Sequence, residues 1–143
     1  MKLKDIMTPN VECVRPGETL QEAARKMKTL DVGSMPVRGE NDKIVGILTD
    51  RDITIRATAE GKDPQSTRVQ DAMSDDVVWC FEDEETDEAS RLMQEHQARR
   101  LLVMDGDKRL VGIVSLGDLA TEDQRRQAGA ALERVSEPCV PHR

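Results

Sequence analysis

Tyrosine is absent from the chain, and Trp79 and Phe81 are its only aromatic residues. Both fall in one short segment, so there is no series of rings on which successive bases of a single strand could stack. Cations are also in deficit. The 28 acidic residues outnumber 21 basic ones, for a formal charge of −7, which opposes contact with the polyanionic backbone of a duplex. No run approaches the roughly 18 apolar residues of a membrane span, and Met1-Lys2-Leu3-Lys4-Asp5 offers no apolar signal region. The expected setting is soluble and cytoplasmic. Histidine is limited to His96 and His142, neither placed near a nucleophile in a recognisable order. No set of His, Cys and carboxylates has zinc spacing. These shortages point away from an enzyme, a metal centre and a required cofactor. The three cysteines, Cys13, Cys80 and Cys139, are odd in number and lack a Cys-x-x-Cys pair, which fits reduced thiols better than a disulfide framework. Cys13 and Cys80 lie in strand-like segments and read as small core residues.

What the chain does have is a repeat. Lys43 to Ile53 begins with the apolar run Ile44-Val45-Gly46-Ile47-Leu48, which reads as a buried strand. Thr49 stands at the N-cap of the helix that follows, with Asp50 and Asp52 in its first turn. Arg109 to Leu119 has the same layout, and Gly46 and Gly112 stand 66 residues apart (112 − 46). That offset holds without a gap from Asp5-x-Met7 over Asp71-x-Met73 to Asp52 over Asp118, which is strong evidence of duplication.

Each copy is expected to hold a short helical turn (4–7; 69–73), a strand (11–15; 77–81), a helix, two strands (35–38 and 44–48; 101–104 and 110–114) and a final helix after Thr49 or Ser115. Thr19-x-x-Glu22 is a capping box, followed by Leu20, Ala23, Ala24, Met27 and Leu30 at helical spacing. In the second copy Ala89, Leu92, Met93 and His96 continue that apolar face. His96 therefore reads as packed or half-buried. The acidic run from Glu82 to Glu88 reads as carboxylates gathered at a helix start, since a hard-cation loop needs spaced ligands and a glycine turn. The fold class is mixed α/β, with two β-α-β-β-α repeats too short to bury their sheets alone and stacked sheet to sheet over one joint core. Repeat 1 covers 1–66, with a linker from about 59; repeat 2 covers 67–125. After Thr121 the chain is expected to be helical through about Arg134, so that residues 126–143 would hold a helix end and a frayed tail.

Tandem β-α-β-β-α units carrying Gly46-Ile47-Leu48-Thr49-Asp50-Arg51-Asp52 and Gly112-Ile113-Val114-Ser115-Leu116-Gly117-Asp118 resemble a cystathionine-β-synthase (CBS) domain pair. Asp5-Ile6-Met7-Thr8-Pro9 and Ser34-Met35-Pro36-Val37 add to the likeness, which spans about residues 3–122. Thr49 to Ile53 with Gly61-Lys62-Asp63-Pro64 is most similar to small bacterial stand-alone pairs, including the hypoxic-response type. The resemblance implies a homodimer, a pseudo-two-fold pair of repeats, and adenosine-type ligands in clefts between them.

Adjacent ribose hydroxyls are well held by a carboxylate, the role implied for Asp52 and Asp118. Thr49 and Ser115 present hydroxyls beside free amides, where a phosphate is favoured. The same carboxylates can equally serve as helix caps. By the family's pattern the base seats on the start of the other repeat's first strand, and phosphates meet residues before its second strand. For Asp52 these are Val77 and Val78, then Arg99 and Arg100; for Asp118 they are Val11 and Glu12, then Gly33 and Ser34. The Asp52 cleft thus reads as the better nucleotide site, because two guanidinium groups can bind phosphate bidentately. Arg51 and Arg56 rank below these. The expected function is a non-enzymatic regulatory module sensing AMP, ADP or ATP, with S-adenosylmethionine or NAD as further possibilities and a regulated protein unspecified. The alternative is a ligand-free interaction or stress-response dimer.

Overall fold

Three helix starts, at Thr19, Thr49 and Ser115, place a hydroxyl three residues before a carboxylate. The computed structural model describes residues 1–121; the helix expected through Arg134, the tail, Cys139 and His142 lie outside the described residues. Thr19 is extended (φ −78°, ψ 158°). Its Oγ1 accepts the Glu22 N–H at 3.2 Å, while Glu22 Oε1 accepts the Thr19 N–H at 3.0 Å. This box opens α1, Leu20–Leu30. The Thr19 N–H and hydroxyl hold the Glu22 carboxyl below its ordinary range. The stabilisation is therefore complete above the unfolded pKa of about 4.3 and is lost as pH falls through the lower folded value. Acidification below about pH 4 should lower the hydrogen-exchange protection factors, referenced to intrinsic exchange, at the start of α1. Glu22→Gln should abolish that pH dependence, and protection that is flat with pH in the parent protein would refute the box's contribution.

The second long helix, α3, covers Thr86–His96. Neither long helix ends on glycine. Asp31 (φ 55°, ψ 50°) and Gln97 (φ 52°, ψ 41°) are left-handed, and the N–H groups of Val32 and Ala98 donate to the Met27 and Met93 carbonyls, each at 3.0 Å. The buried stripe is narrower than the periodicity predicts. Leu20, Ala23, Met27, Ala89 and Met93 are buried, whereas Ala24, Leu30 and His96 are exposed. Leu30 and His96 are the last residues of their helices, where the chain turns away, so the packed histidine expected on α3 is instead a solvent-facing one.

Two compact units form, and they cut across the sequence repeat. One comprises residues 12–77; the other joins residues 1–11 to those from 78 on. In the first unit, β2 (Ser34–Arg38) pairs antiparallel with β3 (Ile44–Thr49). Val14 bridges β2 at Val37, and Ser74 bridges β3 at Ile47. The strand expected over 11–15 thus contracts to a single bridge. Arg15 donates its N–H to Glu18 Oε2 at 2.6 Å and turns the chain out of the sheet, and Pro16 has no N–H for a ladder. The short helix after β3 is α2, Asp50–Ile53, continued by a π turn over Thr54–Thr58.

In the second unit, β1 (Thr8–Pro9), β4 (Trp79–Phe81), β5 (Arg100–Met104) and β6 (Leu110–Ser115) make one sheet in the order β1-β6-β5-β4. Only β4 and β5 run parallel. Helix α4 spans Leu116–Thr121. At the 66-residue offset, Ser74–β3–β2–Val14 repeats this order. Each unit therefore takes the lead-in of the other sequence repeat. Leu3 is fully buried among Cys80, Met93, Leu101, Val114 and Leu119, while Val69 and Ala72 fill the matching place among Leu20, Met27 and Leu48. Among the described residues the buried side chains form one cluster in each unit.

The acidic run is absorbed structurally. Asp87 and Glu88 lie in the first turn of α3, Lys4 pairs with Asp83 at 3.1 Å, and the Leu3 N–H donates to the Glu84 carbonyl. Cys80 is buried, and that burial, with Glu84 beside it, pushes its thiol up to about 12. Cys13 is half-buried rather than a full core residue. Burial raises its pKa, while the Arg38 guanidinium opposes the rise.

Candidate functional site

The two helix starts share one construction. At Thr49 (φ −117°, ψ 161°), Oγ1 accepts the Asp52 N–H at 3.0 Å and Asp52 Oδ2 accepts the Thr49 N–H at 2.9 Å. At Ser115, Oγ accepts the Asp118 N–H at 3.1 Å and Asp118 Oδ2 accepts the Ser115 N–H at 2.8 Å. Both carboxylates are thus caps, the bland reading of the motif. Each nonetheless commits only Oδ2 to the cap. Oδ1 has no hydrogen-bond partner among the described residues, and all four side chains are half-buried. A half-exposed carboxylate held rigid by its own cap is pre-oriented to accept from a diol.

Strand register brings further residues to these starts. Ser34 lies opposite Thr49, and the Asp50 N–H donates to the Gly33 carbonyl at 2.9 Å. A side chain at position 33 would crowd Asp50, with a Cβ 3.1 Å from Asp50 Oδ2. In the second unit Arg100 lies opposite Ser115, and the Leu116 N–H donates to the Arg99 carbonyl at 2.8 Å. Within its own unit, then, Ser34 joins Thr49 and Asp52, while Arg99 and Arg100 join Ser115 and Asp118. Both arginines are exposed, with no ion pair or side-chain hydrogen bond among the described residues.

The apolar positions divide. Val11 and Val77 are half-buried. Val78 packs against the cluster around Cys80 and Leu101, a core role that strand alternation imposes on it along with Cys80. Arg56 has a structural task that the sequence does not announce. Its Nη1 donates to the Ala72 and Met73 carbonyls at 3.1 and 2.9 Å. A carbonyl partner carries no side-chain signature, so only folded coordinates reveal this clamp. Among the described residues no three His, Cys, Asp or Glu side chains gather as a metal site. No described helix is long and apolar enough to cross a membrane.

The family model for the CBS domain matches residues 3–57 and again 69–124. The chain belongs to the CBS-domain family. It is 46% identical over 135 residues to CBS domain-containing protein YhcV of Bacillus subtilis, covering 94% of each chain. Hypoxic response protein 1 of Mycobacterium tuberculosis is 39% identical over 117 residues, 82% of this chain and 81% of its own. A crystal structure of Hypoxic Response Protein I with two coordinated zinc ions aligns with a TM-score of 0.75 at 37% identity, covering 85% of this chain and 98% of that one. The crystal structure of CBSX2 in complex with AMP aligns with a TM-score of 0.68 at 27% identity, over 92% of this chain and 96% of that one. The protein is thus a tandem CBS pair of mixed α/β fold, similar to proteins of the hypoxic-response type. The matched segments account for both repeats of the motif and for both capped carboxylates.

Proposed function

We propose that this CBS pair is a non-enzymatic regulatory module that binds an adenosine-type ligand, with Asp52 or Asp118 accepting from the ribose hydroxyls. The observation that carries the reading is the twin cap that leaves one carboxylate oxygen, Oδ1, without a partner among the described residues at each helix start. The AMP held by CBSX2 supports the ligand class. Thr49 and Ser115 would face the phosphate or its equivalent, Ser34 lies beside the first and Arg99 and Arg100 beside the second. The pair of guanidinium groups beside Ser115, with one first-turn carboxylate there against two after Thr49, favours that start for phosphorylated ligands over the Asp52 cleft preferred on sequence. Val11, Val77 and Val78 remain the apolar seats for the base. A cytoplasmic homodimer acting on a regulated protein completes the reading. Ligand control then requires different affinities for two arrangements of the protein.

A thermal-shift panel of AMP, ADP, ATP, S-adenosylmethionine and NAD tests this. A bound ligand at a hundredfold excess over its Kd should stabilise the fold by about 2.7 kcal/mol. Asp52→Asn and Asp118→Asn keep an acceptor for the cap but remove the charge. Whichever site is occupied, its variant should bind about 10- to 150-fold more weakly by calorimetry. The ligand-free interaction dimer draws on the same caps as purely structural devices. It predicts no shift with any of the five compounds, and that outcome would end the nucleotide reading.

A further inference from the structure

The opposite end of the β2–β3 hairpin from Ser34 and Thr49 carries a hollow of about 490 Å³, lined by Arg15, Gly17, Glu18, Glu22, Arg38 and Glu40 among others. Its walls are the turn leading into α1, the first turn of α1 and the end of β2, all within the unit of residues 12–77. The carboxylates there are largely committed. Glu18 accepts from the Arg15 N–H at 2.6 Å and pairs with Lys26 at 3.0 Å, and Glu22 accepts from the Thr19 N–H and hydroxyl, both at 3.0 Å. Glu40 has no side-chain hydrogen bond or ion pair among the described residues.

The guanidinium groups are in the opposite condition. Arg38 Nε is buried with no hydrogen-bond acceptor among the described residues; the guanidinium otherwise faces the Cys13 thiol, and its Nη1 reaches Asp42 only at 4.0 Å. Arg15 Nη1 reaches the Gly39 carbonyl only at 3.5 Å. Arg68, which donates to the Gly17 carbonyl, adds positive charge at the same turn. A buried donor without an acceptor is unfavourable and uncommon in folded proteins, and a guanidinium matches a planar or tetrahedral oxyanion with paired N–H donors. Volumes in this range accommodate small metabolites.

We propose that this hollow binds a small oxyanion, a carboxylate or a phosphate monoester, with Arg38 as its principal donor and Arg15 as the second. The site does not depend on the nucleotide reading. Amide and arginine Nε–H resonances of the full chain would be followed while inorganic phosphate and succinate are titrated at matched chloride concentration. The expected result is a saturable shift of Arg15, Gly17, Gly39 and Glu40 amides and of the Arg38 Nε–H with at least one anion. Phosphate alone acting would name a phosphate ester, and succinate alone a carboxylate. Arg38→Gln should weaken binding about tenfold or more, and Arg15→Gln, which leaves the β2 end intact, should do so if the first variant misfolds. Asp52→Asn should leave the titration unchanged. No saturable shift with either anion, or shifts confined to Thr49–Asp52 and Ser115–Asp118, would overturn the proposal.

Discussion

Leu3→Ala should lower the stability of this protein by about 2–5 kcal/mol, the usual cost of truncating a fully buried leucine. Leu3 is 0% exposed and packs in the cluster with Cys80, Ala89, Met93, Leu101, Val103, Val114 and Leu119. Nothing nearby can collapse freely into the space, because the residue is pinned by its own N–H to the Glu84 carbonyl and by the short helical turn Leu3–Asp5. With total stabilities of roughly 5–15 kcal/mol, such a loss should lower Tm by about 7–17 °C. The location of the damage is the sharper test. By sequence Leu3 belongs to the first repeat, but by packing it belongs to the unit that holds β5, β6 and Asp118. Hydrogen exchange should therefore rise first in Arg100–Met104 and Leu110–Ser115. If β2 and β3 lost protection first instead, the assignment of the lead-in to its unit would be wrong.

Gly46→Ala and Gly112→Ala should each cost about 1–3 kcal/mol, the range for overpacking a filled site. A Cβ at Gly46 would lie 2.7 Å from the Ser74 carbonyl oxygen and 2.9 Å from Met73 Sδ. At Gly112 it would lie 2.9 Å from the Thr8 carbonyl oxygen and 2.8 Å from Met7 Cγ, with Met7 Sδ nearer still. The methionines could rotate aside, but the backbone oxygens are held by the pairing of Ser74 with Ile47 and of Thr8 with Ile113. Alanine at Gly17 or Gly106 meets nothing within 4 Å and should stay within about 0.5 kcal/mol of the parent. Urea midpoints for the four variants separate the two classes. Equal midpoints for Gly46→Ala and Gly17→Ala would show that the lead-in yields and that close approach is not why glycine stands there. These glycines precede Thr49 and Ser115 by three residues, so loosened pairing should also disturb the capped helix starts.

The capped starts at Thr19, Thr49 and Ser115 were all readable from residue order, and so were β3, β5, β6 and both long helices. Each of these depends on groups within one turn or on apolar runs, and such interactions need no knowledge of the rest of the fold. The errors lie elsewhere. Ala24, Leu30 and His96 fit an apolar periodicity but are exposed, because the width of a buried stripe is set by what packs on it. The segment around Val14 has strand composition but makes one bridge, since Arg15 turns its N–H toward Glu18. That Val78 packs against the cluster around Cys80 was likewise out of reach of residue order, since the register of β4 on β5 sets it.

Local order therefore determined the duplicated motif, its caps and the class of fold, because a side chain three residues from a free amide can reach it in any context. Tertiary structure alone decided that Leu3 completes the unit of the second repeat and Val69 that of the first. The two lead-ins share the Asp-x-Met pattern and pack in corresponding places, and only the path of the chain through space assigns each to its unit. It also decided the companions of each helix start, with Ser34 set by register at Thr49 and Arg100 at Ser115, because pairing across strands depends on where the backbones lie and not on the identity of the residues that meet.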